Sequence, residues 1–498
     1  MTIYINNHSF HYEIEKLVRL FFPNEKLTVL ENTAVREMPY IDTVLENAGG
    51  TESVFVSIRT DDFSESARRE IDRRADDPEK NAERTMAAVL YELLVKMTGR
   101  PQPWGILTGV RPIKLFRRFA EKNGTQYAKD FFRNQFFVSE EKTDLCALTE
   151  TYEKKILSLS RPDSFSLYVS IPFCPSRCSY CSFVSQSIAG AEKLIQPYFD
   201  LLCREIAYTA DIVRQHQLRL ESVYIGGGTP TTLNARQLFE LIGTIKQHFD
   251  MSTCREFTVE AGRPDTIDEE KLTAILNGGV DRISINPQTL NDEVLKIIGR
   301  KHTAAQMMEA YRLARNLGFR HINTDLIAGL PGDSTQGFID TLDRICEMNP
   351  ESITVHTLSM KRSSNLTKQG TNIAVGKESQ AAAMLRYCEK KLTECAYHPY
   401  YLYRQTRMEG NLENVGWSKE GYDGIYNVYV MDETHTVLGC GAGAVSKLKD
   451  PRDDSLKRIF NYKYPYEYIN GFDEMLNRKQ QVINFYDELS EYLSQVCV

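Results

Sequence analysis

Residues 167–183, LYVSIPFCPSRCSYCSF, carry the strongest signal in the chain. An apolar run typical of a β-strand leads directly into Cys174, Cys178 and Cys181. Three thiolates at C-x3-C-x2-C spacing on one short loop can each bind one iron of a cubane iron–sulfur cluster. The next cysteine along the chain is Cys203. The fourth iron would therefore stay open to a substrate, as the metal does in catalytic rather than structural sites.

A structural zinc site is the alternative for the same three cysteines. Structural zinc favours paired C-x2-C knuckles and four protein ligands. The chain has eleven cysteines but no second C-x2-C pair. Most of the others stand singly in apolar stretches, where a reduced thiol packs as a small hydrophobe. The local density of cysteines therefore favours an iron–sulfur cluster in a reducing compartment.

The composition is that of a soluble globular protein. Hydrophobic residues make up 42% and charged residues 26% of the 498 residues, a balance that is not expected of a disordered or membrane protein. The length predicts two or three domains. The net charge is −7 without a long basic block, which argues against nucleic acid as a partner. The chain starts without a signal-like segment and has no run long enough for a membrane span, so a cytoplasmic protein is expected.

Residues 160 to 360 alternate short β-branched or aromatic runs with longer segments of helical period, as parallel βα units do. The predicted strands are Leu167–Pro172, Ser222–Ile225, Glu256–Glu260, Asp281–Ile285, His321–Ile327 and Ser352–His356. The predicted helices lie near 191–216, 234–249, 268–277, 291–299, 303–317 and 334–347. Six βα units fit a partial (β/α)6 barrel or a wound open sheet. Both place ligands at the carboxyl ends of the strands.

The regions on either side of this α/β core are predicted to be separate domains. Residues 1–155 form the N-terminal one, with a helix at about Ala82–Met97. The core occupies 160–365, and an α/β C-terminal domain with a long helix near 378–396 occupies 366–498.

Two short stretches outside the core stand out. For WGILTGVRPIK, residues 104–114, packing is favoured over a docking loop. The glycines of LGCGAGAVSK, residues 438–447, indicate tight backbone approach rather than a phosphate loop, because the Walker A spacing is absent.

Polar groups follow the predicted strands at their carboxyl ends. If the open iron binds S-adenosylmethionine, the site must also hold an ammonium, a carboxylate, a ribose and an adenine. Suitable groups are the glycine run 226–228 with Thr229, then Glu260, Gln288, Arg300 and Asp325. Simpler roles are a turn for the glycines, helix capping for Asp325 and packing for Tyr180, which could instead stack on the adenine.

Seven motifs together resemble the radical S-adenosylmethionine coproporphyrinogen dehydrogenase family, in its HemZ-type branch. They are YVSIPFCPSRCSYCSF, GGGTPT, VEAGRPDT, RISINPQTL, DLIAGLPG, ENVGW and LGCGAGAVSK. The resemblance covers about residues 165–450, and WGILTGVRPIK extends it toward the N-terminus. It implies a partial (β/α)6 barrel with a 4Fe-4S cluster on Cys174, Cys178 and Cys181. It also implies S-adenosylmethionine contacts from Tyr168, Tyr180, Gly227, Gly228, Thr229, Glu260, Gln288, Arg300 and Asp325.

The reaction of the family is the oxygen-independent oxidative decarboxylation of coproporphyrinogen III to protoporphyrinogen IX. The resemblance therefore implies a tetrapyrrole substrate and an electron donor such as flavodoxin or ferredoxin. Cations are needed for the substrate carboxylates, and the candidates are Arg263, Lys361, Arg362 and Arg404. Each of them has a plain surface charge as its alternative.

Phe183 marks one departure from the pattern. Decarboxylating members of the family carry a fourth cysteine at this position, whereas haem-chaperone relatives do not. Three cysteines suffice for the cluster, so the departure concerns the decarboxylation alone. The alternatives are a haem-binding or haem-delivery protein, with His356 as a candidate axial ligand, and a radical haem methyltransferase.

Overall fold

The computed structural model describes residues 1–48, 50–72, 78–183, 185–359 and 379–496. Its backbone divides into two compact units. The first contains Met1–Ala147 together with residues 379–382 and Tyr403–Glu413. The second contains residues 148–359, Ala383–Leu402 and residues 414–496. No described helix is long and apolar enough to cross a membrane.

The strands are β1 (Thr2–Asn6), β2 (Thr28–Glu31), β3 (Tyr40–Ala48), β4 (Thr51–Arg59), β5 (Ser64–Glu70), β6 (Ser164–Ile171), β7 (Phe173–Cys174), β8 (Gln186–Ser187), β9 (Arg219–Gly227), β10 (Glu256–Gly262), β11 (Arg282–Ile285), β12 (Ile322–Ala328), β13 (Ser352–Thr357), β14 (His398–Tyr403), β15 (Asn414–Ser418), β16 (Thr436–Cys440), β17 (Val445–Lys449) and β18 (Leu456–Phe460). The helices are α1 (His11–Phe21), α2 (Pro78–Thr98), α3 (Pro112–Asn123), α4 (Thr125–Gln135), α5 (Glu140–Leu157), α6 (Glu192–Gln215), α7 (Ala235–His248), α8 (Glu269–Asn277), α9 (Asp292–Ile297), α10 (Ala304–Leu317), α11 (Thr335–Met348), α12 (Gln380–Glu394), α13 (Ile425–Asp432), α14 (Pro465–Asn470) and α15 (Phe472–Val496).

Six parallel strands form the centre of the second unit. They are β6, β9, β10, β11, β12 and β13, each paired with the next. They correspond one to one to the six predicted strands, and α6 to α11 match the predicted helices. Their apolar faces are buried, as expected of a parallel sheet covered by helices. The predicted α/β fold with a (β/α)6 core is therefore confirmed.

The C-terminal strands extend both edges of this same sheet. β16 pairs in parallel with β6, and β15 pairs antiparallel with β13. The glycine stretch at 438–447 makes the tight turn between β16 and β17. A Cβ atom on Gly441 would lie 2.6 Å from the carbonyl oxygen of Ser170, so the predicted close backbone approach is present. The division into domains 1–155, 160–365 and 366–498 stays a prediction.

The first unit contains a five-stranded sheet with the order β2-β1-β3-β4-β5. Helix α2 contains the predicted helix at Ala82–Met97 and packs on β4 and β5. Trp104 is buried, in agreement with the packing interpretation of its segment. Its indole N–H donates to Oε2 of Glu413 at 2.7 Å, and Lys142 Nζ lies 2.7 Å from Oε1 of the same carboxylate.

Candidate functional site

The three motif cysteines lie on one loop at the carboxyl end of β6. Cys174 belongs to β7, which pairs with β8, and Cys178 is buried. Burial, together with the nearby sulfurs of Cys178 and Cys174, raises the pKa of Cys181 to about 11, although a backbone hydrogen bond at Phe183 opposes the shift. All three thiols are free.

This donor set fits an iron–sulfur cluster. No group of three His, Cys, Asp or Glu side chains among the described residues is placed to hold one shared metal ion. The Cys178 and Cys174 sulfurs lie close enough to Cys181 to raise its pKa, and three neighbouring thiolates can each bind one iron of a cluster. Bound metal also keeps a buried thiol deprotonated.

The glycine loop after β9 lies directly against the cysteine loop. The Gly228 amide donates to the carbonyl of Ile171 at 2.8 Å, and the Thr229 amide donates to that of Phe173 at 2.8 Å. A Cβ atom on Gly228 would stand 2.5 Å from the Phe173 carbonyl oxygen and 2.9 Å from Cys174 Sγ. The side chain of Thr229 also reaches Cys174, with Oγ1 3.5 Å from Sγ. This glycine is therefore required for the close approach of the two loops.

Two carboxylates lie near each other, Glu260 on β10 and Asp325 on β12. Burial and the Asp325 carboxylate raise the pKa of Glu260 to about 8, although Arg300 opposes this shift. Burial alone would raise the pKa of Asp325, but the nearby His356 first, and then a hydrogen bond from Asn323, hold it below its ordinary value. Asp325 lies inside β12 and Ser334 caps the following helix, so the capping role considered for Asp325 is wrong.

Arg300 connects these carboxylates with the cysteine loop. It is buried, with Nη1 donating to the Asn286 carbonyl at 2.8 Å and Nη2 donating to the Tyr180 hydroxyl at 3.1 Å. Its Nε has no partner among the described residues. Tyr180 thus has a polar partner rather than a purely packing role.

Gln288 and Tyr168 complete the predicted set. Gln288 is buried and has the positive φ angle of 69°, and its amide donates to the Asp325 carbonyl at 2.9 Å. Tyr168 lies in β6 and stacks on Tyr224 and Tyr426, with ring centroids 6.3 Å apart in both pairs. The structure therefore places these two residues at the same end of the sheet as the carboxylates.

Several residues of this region were not predicted from the sequence. Asn323 Nδ2 donates to Oδ1 of Asp325 at 2.7 Å and to Oγ of Ser284 at 2.8 Å. The Asn286 side chain accepts from Ser284 at 2.7 Å. A strand places residues i and i+2 on one face, so the position of Asn323 two residues before Asp325 was the available signal.

Two of the four candidate substrate cations are buried and engaged elsewhere. Arg263 is 4% exposed and its guanidinium pairs with Asp265. Arg404 lies in the first unit, where it is buried and donates to the carbonyls of Leu107 and Asn411. Neither is a surface charge or a free cation.

The remaining candidates divide between described and undescribed parts of the chain. Lys361 and Arg362 lie outside the described residues. His356 Nε2 is 3.8 Å from Oδ2 of Asp325. Phe183 is 66% exposed.

Comparison with known proteins gives a consistent family assignment. The radical SAM superfamily model matches residues 168–345. The oxygen-independent coproporphyrinogen-III oxidase-like protein HemZ of Bacillus subtilis is 37% identical over 84% of this chain and 82% of its own. The heme chaperone HemW of Lactococcus lactis is 30% identical over 65% of this chain and 80% of its own.

Among solved structures, the coproporphyrinogen III oxidase HemN of Escherichia coli, described as a radical SAM enzyme, matches with a TM-score of 0.49 and 23% identity. The match covers 68% of this chain and 74% of that one. The sequence relationship to HemZ extends over most of both chains. The chain therefore belongs to the radical S-adenosylmethionine proteins, which use a 4Fe-4S cluster and S-adenosylmethionine, and within them to the family of oxygen-independent coproporphyrinogen-III oxidase-like proteins that includes HemZ.

Proposed function

We propose that this protein catalyses the oxygen-independent oxidative decarboxylation of coproporphyrinogen III to protoporphyrinogen IX in haem biosynthesis. Each of two propionate side chains would lose a hydrogen atom to the radical derived from S-adenosylmethionine, and then carbon dioxide and one electron, which passes to an electron acceptor, and so become a vinyl group. The support is the relationship to HemZ together with one structural observation. Three cysteines, two carboxylates and a buried arginine converge at the carboxyl end of one parallel sheet.

Each of these residues has a proposed role. Cys174, Cys178 and Cys181 hold the cluster, which when bound supplies the electron that cleaves S-adenosylmethionine to the hydrogen-abstracting radical. Glu260 and Asp325 accept hydrogen bonds from the ammonium or ribose of S-adenosylmethionine.

The remaining predicted contacts orient the same ligand. The Nε of Arg300, which lacks a protein partner among the described residues, is available to its carboxylate. Tyr168, Tyr180 and Gln288 line the site, and Gly227, Gly228 and Thr229 border it on the loop that lies against the cysteine loop. The stacked rings of Tyr168, Tyr224 and Tyr426 restrict water beside the carboxylates.

The proposal also includes partners and location. The substrate is a tetrapyrrole, and the electron comes from a small reduced protein such as flavodoxin or ferredoxin. We propose a cytoplasmic location, where a reducing environment preserves free thiols.

An anaerobic product assay tests this function. Protein with a reconstituted cluster is incubated with reductant, S-adenosylmethionine and coproporphyrinogen III, and the tetrapyrrole product is identified by mass. We expect protoporphyrinogen IX, with loss of the product in C181A and its retention in C203A, the matched cysteine control. Deoxyadenosine without protoporphyrinogen would reject the proposed substrate, and a product heavier by one methylene would indicate a methyltransferase.

Haem binding or delivery is the second candidate function, favoured by the exposed Phe183 at the position of the fourth cysteine. His356 has a carboxylate neighbour in Asp325, an arrangement that orients metal-binding histidines. Haem titration of wild type and H356A distinguishes the two candidates. Stoichiometric haem retention that H356A loses would support delivery, and absence of haem binding would reject it.

A further inference from the structure

Arg263 follows β10 and is almost completely buried. It is 4% exposed, although an arginine normally keeps its charged end in water. The Arg263 side chain has five N–H donors. The hydrogen-bond partners of these donors explain why the side chain is buried.

Its guanidinium faces the cysteine loop. Nη1 donates to the carbonyl oxygen of Ser176 at 3.2 Å, and Nη2 donates to Oγ of Ser176 at 3.1 Å. Nη1 also lies 3.7 Å from Sγ of Cys178, within hydrogen-bonding distance for sulfur. One side chain therefore contacts two residues of the loop that carries the three motif cysteines.

Asp265 holds the guanidinium in this position. Arg263 Nε donates to Oδ1 and Nη2 donates to Oδ2, both at 2.9 Å. This forked arrangement limits rotation of the guanidinium about its plane. The two carboxylate bonds and the three contacts to the loop account for all five N–H donors, so none is left for a substrate carboxylate.

We propose that Arg263 is a positioning residue that holds the cysteine loop and donates a hydrogen bond to the Cys178 sulfur, which makes the bound cluster easier to reduce. The inference rests on the proposed attachment of the cluster to Cys178 but not on the proposed tetrapyrrole substrate. It replaces the substrate-binding role considered for Arg263.

The physical reason is the charge that a cluster gains on reduction. A donor that points at a ligating sulfur stabilises the more electron-rich, reduced state more than the oxidised state. Asp265 balances the charge of the arginine, so the directed N–H···S contact carries most of the effect. Arginine suits this role because its fork is rigid, whereas lysine offers a single compact ammonium.

The test compares wild type with R263M and R263K. R236M, which removes an arginine that is 91% exposed on α7, serves as the control for charge. Each protein is reconstituted anaerobically, and its iron and acid-labile sulfide are counted. Electron paramagnetic resonance then gives the ratio of reduced to oxidised cluster at a series of fixed solution potentials. Circular dichroism reports whether each variant is folded.

We expect R263M to bind its cluster but to show a reduced-to-oxidised ratio about fivefold lower than wild type at the same potential, as for loss of one hydrogen bond. R263K should lie between the two, and R236M should match wild type. An unchanged ratio in R263M would overturn the proposal, even if that variant bound less cluster. If R263M does not fold, R263K provides the test. A reduced-to-oxidised ratio in R263K equal to that of wild type would then overturn the proposal.

These outcomes separate this inference from the proposed function. A wild-type protein that takes up no cluster would overturn both. A wild-type protein that takes up the cluster but forms no protoporphyrinogen would reject the substrate alone, because the ratio is measured without any substrate.

Discussion

The Nδ2 atom of Asn323 donates a hydrogen bond of 2.7 Å to Oδ1 of Asp325, two residues further along the same strand. Asn323 is itself held by Oγ of Ser284, to which it donates at 2.8 Å. These bonds orient the Asp325 carboxylate and, after the larger effect of His356, help to keep its pKa low. Asp325 remains ionised in a site where burial alone would favour its protonated form.

Replacing Asn323 with leucine should weaken the binding of S-adenosylmethionine about tenfold, because a hydrogen bond to a charged acceptor is lost. The pKa of Asp325 should rise at the same time. Anaerobic isothermal titration calorimetry on cluster-containing protein measures the affinity. N484A, at an exposed position of α15, is the control and should bind like wild type. Equal affinity in N323L would mean that Asp325 needs no such support.

The binding of S-adenosylmethionine should depend on pH through Glu260. Burial and the neighbouring Asp325 raise its pKa to about 8, so most of Glu260 is protonated at neutral pH. Pairing with a ligand cation requires the carboxylate, and binding therefore releases a proton. As the pH is raised toward 8, the affinity should increase about tenfold per pH unit, and above pH 8 it should level off.

Calorimetry across this pH range checks the dependence. E260Q carries no titratable group at this position, so its affinity should be lower at high pH and almost independent of pH. A flat profile in wild type would contradict the proposed role of Glu260.

Gly228→Ala should abolish cluster binding while the protein remains folded. The added Cβ would lie 2.5 Å from the Phe173 carbonyl oxygen and 2.9 Å from Cys174 Sγ, and backbone cannot yield as a flexible side chain can. Iron counting after reconstitution measures the loss. G243A is the matched control, since no atom lies within 4 Å of its new Cβ in α7, and it should keep its iron. Full iron content in G228A would show that the loop adapts.

A buried ion pair stabilises the turn between β16 and β17. Lys479 Nζ lies 3.0 Å from Oε1 of Glu205, with both side chains almost fully buried. The same carboxylate accepts from the Gly441 amide at 2.7 Å. K479M leaves a buried charge without its partner and should lower the free energy of unfolding by about 3–5 kcal/mol.

Urea unfolding measures this change. K390M removes a lysine that is 75% exposed on α12 and should stay within about 0.5 kcal/mol of wild type. If K479M lowers the free energy of unfolding no more than K390M does, the ion pair between Lys479 and Glu205 contributes little to stability.

The sequence was sufficient to predict the parallel core. Each of the six strands contains a short run of β-branched or aromatic residues followed by a segment of helical period, and these local patterns indicate where the elements begin and end. The sequence also predicted that Glu260, Arg300 and Asp325 belong to one site, because the carboxyl ends of parallel strands meet at one edge of the sheet.

Contacts between distant segments could not be predicted in this way. Arg263 contacts Cys178, which lies 85 residues away in the sequence. The sequence pattern around either residue does not predict this contact. The same holds for β16, which lies beside β6 although more than two hundred residues separate them. Strand order within a sheet is a tertiary property that periodicity does not encode.

The contact between Trp104 and Glu413 joins residues 309 positions apart. At a translation rate of about 5–20 residues per second, Glu413 is synthesised roughly 15–60 s after Trp104. The first unit therefore cannot complete its interior on the ribosome until most of the second has been made. A nascent chain arrested before residue 403 should remain sensitive to proteolysis near Trp104, and should hold chaperones there until elongation resumes.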